Sequence, residues 1–199
     1  MNLAYLRVFN PWFTTVQAQR RIEAVLAGDA YTARHNFVAL SEIPLHVQRA
    51  VIVAEDGAFY EHDGVDWNEL KIIWLETLAD SSRLRGGSTI SQQLTKNLFL
   101  TTHRSLIRKS LEFALVPLTE NILSKERILE LYLNEVEWGP GVWGIDAAAR
   151  YHYGVGVSRL TRNQAARLAA CLPAPRTREP GKMDEYAAKI LERLADRGW

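Results

Sequence analysis

The sequence predicts a single, mostly α-helical domain. Apolar residues recur at helical spacing in segment after segment, strand-like alternation is scarce, and no repeat or low-complexity linker divides the chain. At 199 residues and 47% hydrophobic composition, one core can be filled without a second domain.

The elements follow in order. The opening stretch, MNLAYLRVFNPWFTTVQ, is apolar and aromatic but is interrupted by Arg7, Asn10 and Pro11, and it lacks the layout of a cleavable signal. We expect it to pack as core in preference to lying in a membrane interface. Ser41 to Glu55 reads as a helix with Pro44 in its first turn and Val47, Ala50, Val51 and Ala54 at helical spacing. Asp66 to Glu69 resembles a capping box, leading into Leu70, Ile73, Trp74, Thr77 and Leu78 on one face. Gly86 and Gly87 break the chain before Thr89-Ile90-Ser91-Gln92 opens a helix through about Leu98.

Ser105 to Ile122 carries Leu111, Leu115, Leu118 and Ile122 in register, with Pro117 expected to kink it. Ser124 caps the apolar helix KERILELYLN, and the Gly/Pro loop EWGPGVWG follows. Thr161 to Gln164 starts a helix stopped by Pro173 and Pro175. In the tail, Tyr186, Ile190 and Leu194 are spaced to pack a last helix back on the body.

A formal net charge of +1 gives no global attraction to nucleic acid or to an anionic membrane, so electrostatic function must be local. No nucleic-acid partner is expected. The single cysteine, Cys171, excludes an internal disulfide and reads as a small buried apolar residue.

Three stretches could carry chemistry. In AVIVAEDGAFYEHDGVDW, Glu55 and Asp56 end an apolar helix. A carboxylate there faces the negative end of the helix dipole, which raises its pKa and suits a general base near neutral pH. A metal site from Glu55, Asp56, His62 and Asp66 is the poorest reading, because no second histidine or cysteine has ligand spacing. His62 and Asp66 are expected to shape and cap the turn, with Asp56 supporting.

In SLIRKSLE, Arg108, Lys109 and Glu112 share one helix face opposite the leucines, which by itself reads as a solvated, salt-bridged surface. In RGGSTISQQLTKNLF, Thr89, Gln92, Gln93 and Lys96 gather near a helix N-terminus behind two glycines, where an anion is favoured. That pattern is not a P-loop, and a capped helix with a polar face explains it equally well.

Taken together and in order, EDGAFYEHDGVD, RGGSTISQQLTKNLFL, RKSLE and SKERILELYLNEVEWGPGVWGIDAAARYHYG resemble the peptidoglycan glycosyltransferases of family 51, in particular the monofunctional biosynthetic transglycosylases. The similarity runs from about Arg49 to Pro175. No Ser-x-x-Lys or Lys-Thr-Gly of a transpeptidase module occurs. The resemblance implies a lysozyme-like glycosyltransferase fold with a larger globular lobe and a smaller membrane-facing lobe. Residues 1–40 become a juxtamembrane segment without a complete transmembrane helix, since no run of about 18 apolar residues exists.

The implied activity is polymerisation of lipid II into β-1,4 glycan strands at the outer face of the bacterial cytoplasmic membrane, with release of undecaprenyl diphosphate. By motif, Glu55 matches the family's base and Glu112 its second essential glutamate. Lys96, Arg108 and Lys109, with Thr89, Gln92 and Gln93, fall in its diphosphate-binding region, and Phe59, Ser88 and Asn97 join Asp56 and His62 as supporting residues. The resemblance admits a divalent cation, Mg or Mn, near Glu112, and no organic cofactor. Expected partners are lipid II, the growing lipid-linked strand, the membrane surface and other cell-wall proteins.

The chemistry agrees with these residue types. An acceptor hydroxyl needs one carboxylate base, whereas a diphosphate leaving group needs cations more than a proton donor. A lysozyme-type hydrolase instead needs one protonated carboxylic acid, which a basic cluster around Glu112 would spoil. An inactive module that binds only the lipid-linked precursor is the third reading. Family members normally carry a membrane anchor, so either one has been removed here or the apolar N-terminus and membrane-facing lobe suffice.

Overall fold

The computed structural model describes residues 2–79, 87–103 and 105–199. Arg85 and Gly86, part of the expected glycine break, lie outside the described residues.

Helices dominate: α1 (Thr15–Ala27), α2 (Leu45–Glu55), α3 (Trp67–Ala79), α4 (Ile90–Phe99), α5 (Leu106–Ile122), α6 (Lys125–Glu135), α7 (Ile145–Tyr153), α8 (Arg162–Cys171) and α9 (Asp184–Asp196). Helix α4 packs against α1, α5 and α6, while α2, α8 and α9 pack on one another. Large side chains including Tyr132, Trp138, Trp143 and Phe59 are fully enclosed in the core.

The cap signals hold where they were read. Thr89 and Thr161 each form a reciprocal capping box, with Gln92 and Gln164. Ser105 and Ser124 cap α5 and α6, and Asp66 Oδ1 accepts from Glu69 N at 2.8 Å to start α3. Helix α2 starts later than expected: Pro44 is its N-cap, one position outside, and a 3-10 turn at Leu40–Glu42 occupies the residues before it. Helix α1 went unread although it carries a Thr14/Gln17 capping box and ends on left-handed Gly28.

Helix α5 differs from the sequence reading in orientation. Its charged face turns inward, with Glu112 only 2% exposed, while Leu106 and Ile107 are 88% and 77% exposed and Leu111 and Leu118 are half exposed. The reason is packing on α4: Glu112, Val116 and Thr119 form the buried stripe, and the Thr95 and Thr119 hydroxyls meet at 3.1 Å. The solvated-surface reading of Arg108, Lys109 and Glu112 is thereby overturned. Pro117 sits on the exposed side, and the helix continues through it from Leu106 to Ile122.

The Gly/Pro loop is a hairpin. β2 (Glu137–Gly139) pairs antiparallel with β3 (Val142–Trp143), which pairs parallel with β1 (Arg34–His35) in the order β1-β3-β2. Gly144 leaves it at φ +81°, and a Cβ there would lie 2.6 Å from the Asn134 carbonyl oxygen, so the turn needs glycine.

The N-terminal stretch is core only in part. Leu6 and Val16 are buried, but Val8, Phe9, Trp12 and Phe13 are exposed, Trp12 at 89%. No helix among the described residues is long and apolar enough to cross a membrane. In the tail, Ile190 and Leu194 are buried as expected, whereas Tyr186 is half exposed beneath Arg178 and Lys189.

Candidate active site

Glu55 is the last residue of α2, placed there because Val47, Ala50 and Val51 anchor the preceding turns in the core. Burial is the largest influence on its carboxyl and raises its pKa, and neighbouring Asp56 adds to the rise. A hydrogen bond from Gln93 Nε2 to Oε2 at 2.7 Å opposes this, as do the charges of Lys96 and Arg178. The result is a carboxylate of raised basicity in the wall of a 470 Å³ cavity that it lines with Ser88, Asp66 and Glu69.

Asp56 does not compete for that role. Its Oδ2 accepts from Ile90 N at 2.9 Å, joining the end of α2 to the start of α4, and its Oδ1 meets His62 Nε2 at 2.9 Å. His62 Nδ1 accepts from Gly64 N at 3.0 Å, which leaves the ring proton on Nε2 to donate to Asp56. Phe59 is buried beneath this turn with Lys125 over its ring. The structure therefore brings Asp56, Phe59 and His62 together as the support of the turn after Glu55.

Thr89 and Gln92 are both buried and bonded to each other in the cap, and Thr89 Oγ1 also donates to Gly64 O at 2.6 Å. Gln93, one residue on, is the member of the predicted polar start that reaches Glu55. Asn97 Nδ2 donates to the Gln93 carbonyl at 2.8 Å, tying this part of α4 to itself.

The cations form the second half. Arg108 Nη1 donates to Glu112 Oε2 at 2.6 Å and Lys109 Nζ to Oε1 at 2.5 Å, so both oxygens of Glu112 are held. Lys109 Nζ also donates to Ser88 Oγ at 3.2 Å, and the Ser88 carbonyl accepts from Gln93 at 3.3 Å. Ser88 is thus the joint between the Glu55 half and the Glu112 half. Lys96 lies within electrostatic reach of both carboxylates. Its Nζ makes no hydrogen bond or ion pair among the described residues, and desolvation lowers its pKa against the pull of Glu112.

A divalent ion would find a poor donor set around Glu112. Its oxygens already accept from two cations, a third cation is near, and no group of three His, Cys, Asp or Glu side chains with metal-holding geometry exists among the described residues.

Sequence reasoning missed four contributors. Tyr132 on α6 donates its hydroxyl to Gln93 Oε1 at 3.1 Å, Arg178 acts electrostatically on Glu55, and Arg193 of α9 and Arg197 just after it line the same cavity. Only tertiary packing brings these residues to Glu55, and no local pattern marks them.

A desolvated carboxylate set against a cluster of cations, in a helical domain, is the arrangement of a group-transfer enzyme whose leaving group is anionic. Residues 19–197 match the family model described as transglycosylase. A biosynthetic peptidoglycan transglycosylase of Bordetella avium is 46% identical over 168 residues, covering 80% of this chain and 70% of that protein. Those of Azoarcus sp. and Nitrosospira multiformis are 41% and 39% identical, each covering 97% of this chain and 85% and 86% of the relative. The chain belongs to the transglycosylase family and is a glycosyltransferase.

Proposed function

We propose that this chain is a peptidoglycan glycosyltransferase of bacterial cell-wall synthesis that polymerises lipid II into β-1,4 glycan strands, releasing undecaprenyl diphosphate. That activity belongs to the cell envelope, and we place it at the outer face of the cytoplasmic membrane. The observation that carries the reading is Glu55: a desolvated carboxylate of raised pKa, held among the described residues by one amide, with the ammonium of Lys96, which has no hydrogen-bond or ion-pair partner among them, in electrostatic range.

The donor sugar is α-linked to a diphosphate and the new bond is β, so one inverting displacement suffices. Glu55 takes the proton of the acceptor 4-hydroxyl as that oxygen attacks the donor's anomeric carbon. The anomeric carbon's bond to the diphosphate breaks, and the departing charge is received by Lys96, with Arg108 and Lys109 behind it. Glu112 orients those two cations through its paired oxygens. Any divalent-ion dependence would then act through the substrate's diphosphate, and no step above requires it.

The same geometry disfavours a lysozyme-like hydrolase. Glu112 has Arg108 and Lys109 on both oxygens, leaving neither free to deliver a proton to a sugar leaving group.

Membrane contact is part of the proposal. Helix α3 exposes Trp67, Ile72, Trp74, Leu75 and Leu78, α5 exposes Leu106 and Ile107, and the two helices touch where Trp67 stacks on Phe113 with centroids 6.4 Å apart. Apolar residues facing solvent on adjoining helices suit a lipid surface that also holds the substrate's tail.

The test is incubation of the purified chain with labelled lipid II in detergent. Wild type is expected to form polymer, and Glu55→Gln to form none while keeping its fold by circular dichroism. Polymerisation by Glu55→Gln at a rate near wild type overturns the base assignment, and shortening of purified glycan without a lipid-linked donor would favour hydrolysis.

A further inference from the structure

Tyr132 sits in α6, and its side chain is fully buried. Its hydroxyl donates to Gln93 Oε1 at 3.1 Å, and the same amide donates through Nε2 to Glu55 Oε2 at 2.7 Å. We propose that Tyr132 is a positioning residue for glycosyl transfer: its hydroxyl fixes the Gln93 amide in the orientation that donates to Glu55, keeping that carboxylate ready to take the acceptor's proton. The proposal rests on the reading of Glu55 as the base.

An amide has a donor end and an acceptor end of nearly the same shape, so packing alone does not choose between its two orientations. A phenol hydroxyl on one side does. Tyr132 remains protonated, because burial first, and then the charges of Glu55 and Asp56, hold its pKa well above the usual value. It therefore presents a proton to Gln93, which must answer with its oxygen. The NH2 group is then left to face Glu55 and the Ser88 carbonyl. With the amide reversed, its oxygen would point at the carboxylate, an arrangement that only a protonated Glu55 tolerates. A protonated Glu55 is not a base.

Among the described residues, the Gln93 donor has no substitute. Facing Glu55 are Asp56 at its own helix end, Gln93 and Lys96 from α4, Tyr132 from α6 and Arg178 from the segment after α8. Asp66, Glu69, Arg193, Asp196 and Arg197 line the shared cavity. Among the described residues, Gln93 alone hydrogen-bonds the carboxylate. Lys96 and Arg178 act on it by charge alone, and burial pushes the other way.

The experiment is the pH dependence of kcat on detergent-solubilised lipid II for wild type, Tyr132→Phe, Gln93→Ala and the double variant. Activity rises with pH as Glu55 ionises. The acidic limb of Tyr132→Phe is expected about one pH unit higher, so that kcat below the limb falls about tenfold and recovers toward wild type at high pH. KM should change less than about twofold, and Gln93→Ala should move the limb in the same direction. Adding Tyr132→Phe to Gln93→Ala should move it no further, because both act through one bond.

A Tyr132→Phe enzyme that loses rate equally at all pH, with its limb unmoved, overturns the proposal. So does a second, additive shift in the double variant. If Tyr132→Phe does not fold, Gln93→Ala decides alone: an unmoved limb overturns the proposal and a raised limb supports it. Glu55→Gln separates the two ideas. If it retains turnover, the base assignment itself fails; if it is inactive while the limbs stay put, only the role of Tyr132 fails.

Discussion

Glu135 shows what a buried carboxyl costs when it does no chemistry. It is fully enclosed on α6, with Gln17 Nε2 donating to Oε2 at 3.1 Å, while Oε1 has no hydrogen-bond partner among the described residues and lies 3.5 Å from His35 Nε2. Burial pushes its pKa from 4.5 to about 8 and lowers that of His35, so near neutrality the pair is two neutral groups and not a salt bridge. His35 Nε2 then donates to the Asn134 carbonyl at 3.0 Å.

The sign follows from proton counting. Between pH 4.5 and about 8 the folded state holds the Glu135 proton and the unfolded chain has lost it, so stability falls as pH rises through that window. Glu135→Gln should flatten the slope and add on the order of 1–3 kcal/mol at pH 8, discounting the full shift for relaxation around the site. Urea unfolding across that pH range measures it. A variant whose slope matches that of wild type would remove Glu135 as the cause. At this scale Glu55 was legible because a carboxylate ending an apolar helix is a local anomaly. Tyr132 was not, because an apolar helix conceals which way one hydroxyl points.

At the scale of elements, the site depends on how α2 ends and α4 begins. Asp56 receives Ile90 N and His62 Nε2, and Thr89 closes the cap above them. Asp56→Ala would leave a buried backbone donor and an imidazole donor unpaired, a cost of about 1–3 kcal/mol. It would also loosen the turn that aims Gln93 at Glu55. We expect a lowered melting temperature together with a reduced kcat, read by calorimetry and polymer formation; a normal melting temperature would show that the two helices do not need this carboxylate.

Caps were readable in advance because they are local: Thr89/Gln92, Thr161/Gln164, Ser105 and Ser124 each sit within a few residues of the groups they satisfy. The facing of α5 was not. Periodicity separates a charged stripe from a leucine stripe, but the partner helix decides which one is buried, and α4 takes the stripe containing Glu112. The hairpin at Glu137–Trp143 escaped for a related reason, since strands of two or three residues are too short to show a period.

At the scale of the whole molecule, polar groups converge inward at the Glu55 and Glu112 halves while apolar side chains of α3 and α5 face out. With a net charge of +1, the proposed attraction to a lipid surface is expected to draw on those apolar groups more than on global charge. Each large apolar side chain fully buried is worth about 1.5–3 kcal/mol, so replacing two exposed ones with glutamate should weaken binding to phospholipid vesicles by at least about tenfold. Trp74 and Ile107, 62% and 77% exposed, are the choice, because removing them vacates no core space. Co-sedimentation with vesicles should therefore drop sharply for Trp74→Glu/Ile107→Glu while its melting temperature stays near wild type. Wild-type binding should survive about 1 M salt, where the screening length is about 3 Å. Binding that salt abolishes, or that the double variant retains in full, would move the lipid contact away from α3 and α5, leaving the exposed aromatics Phe9, Trp12 and Phe13 before α1 as the surface to test next.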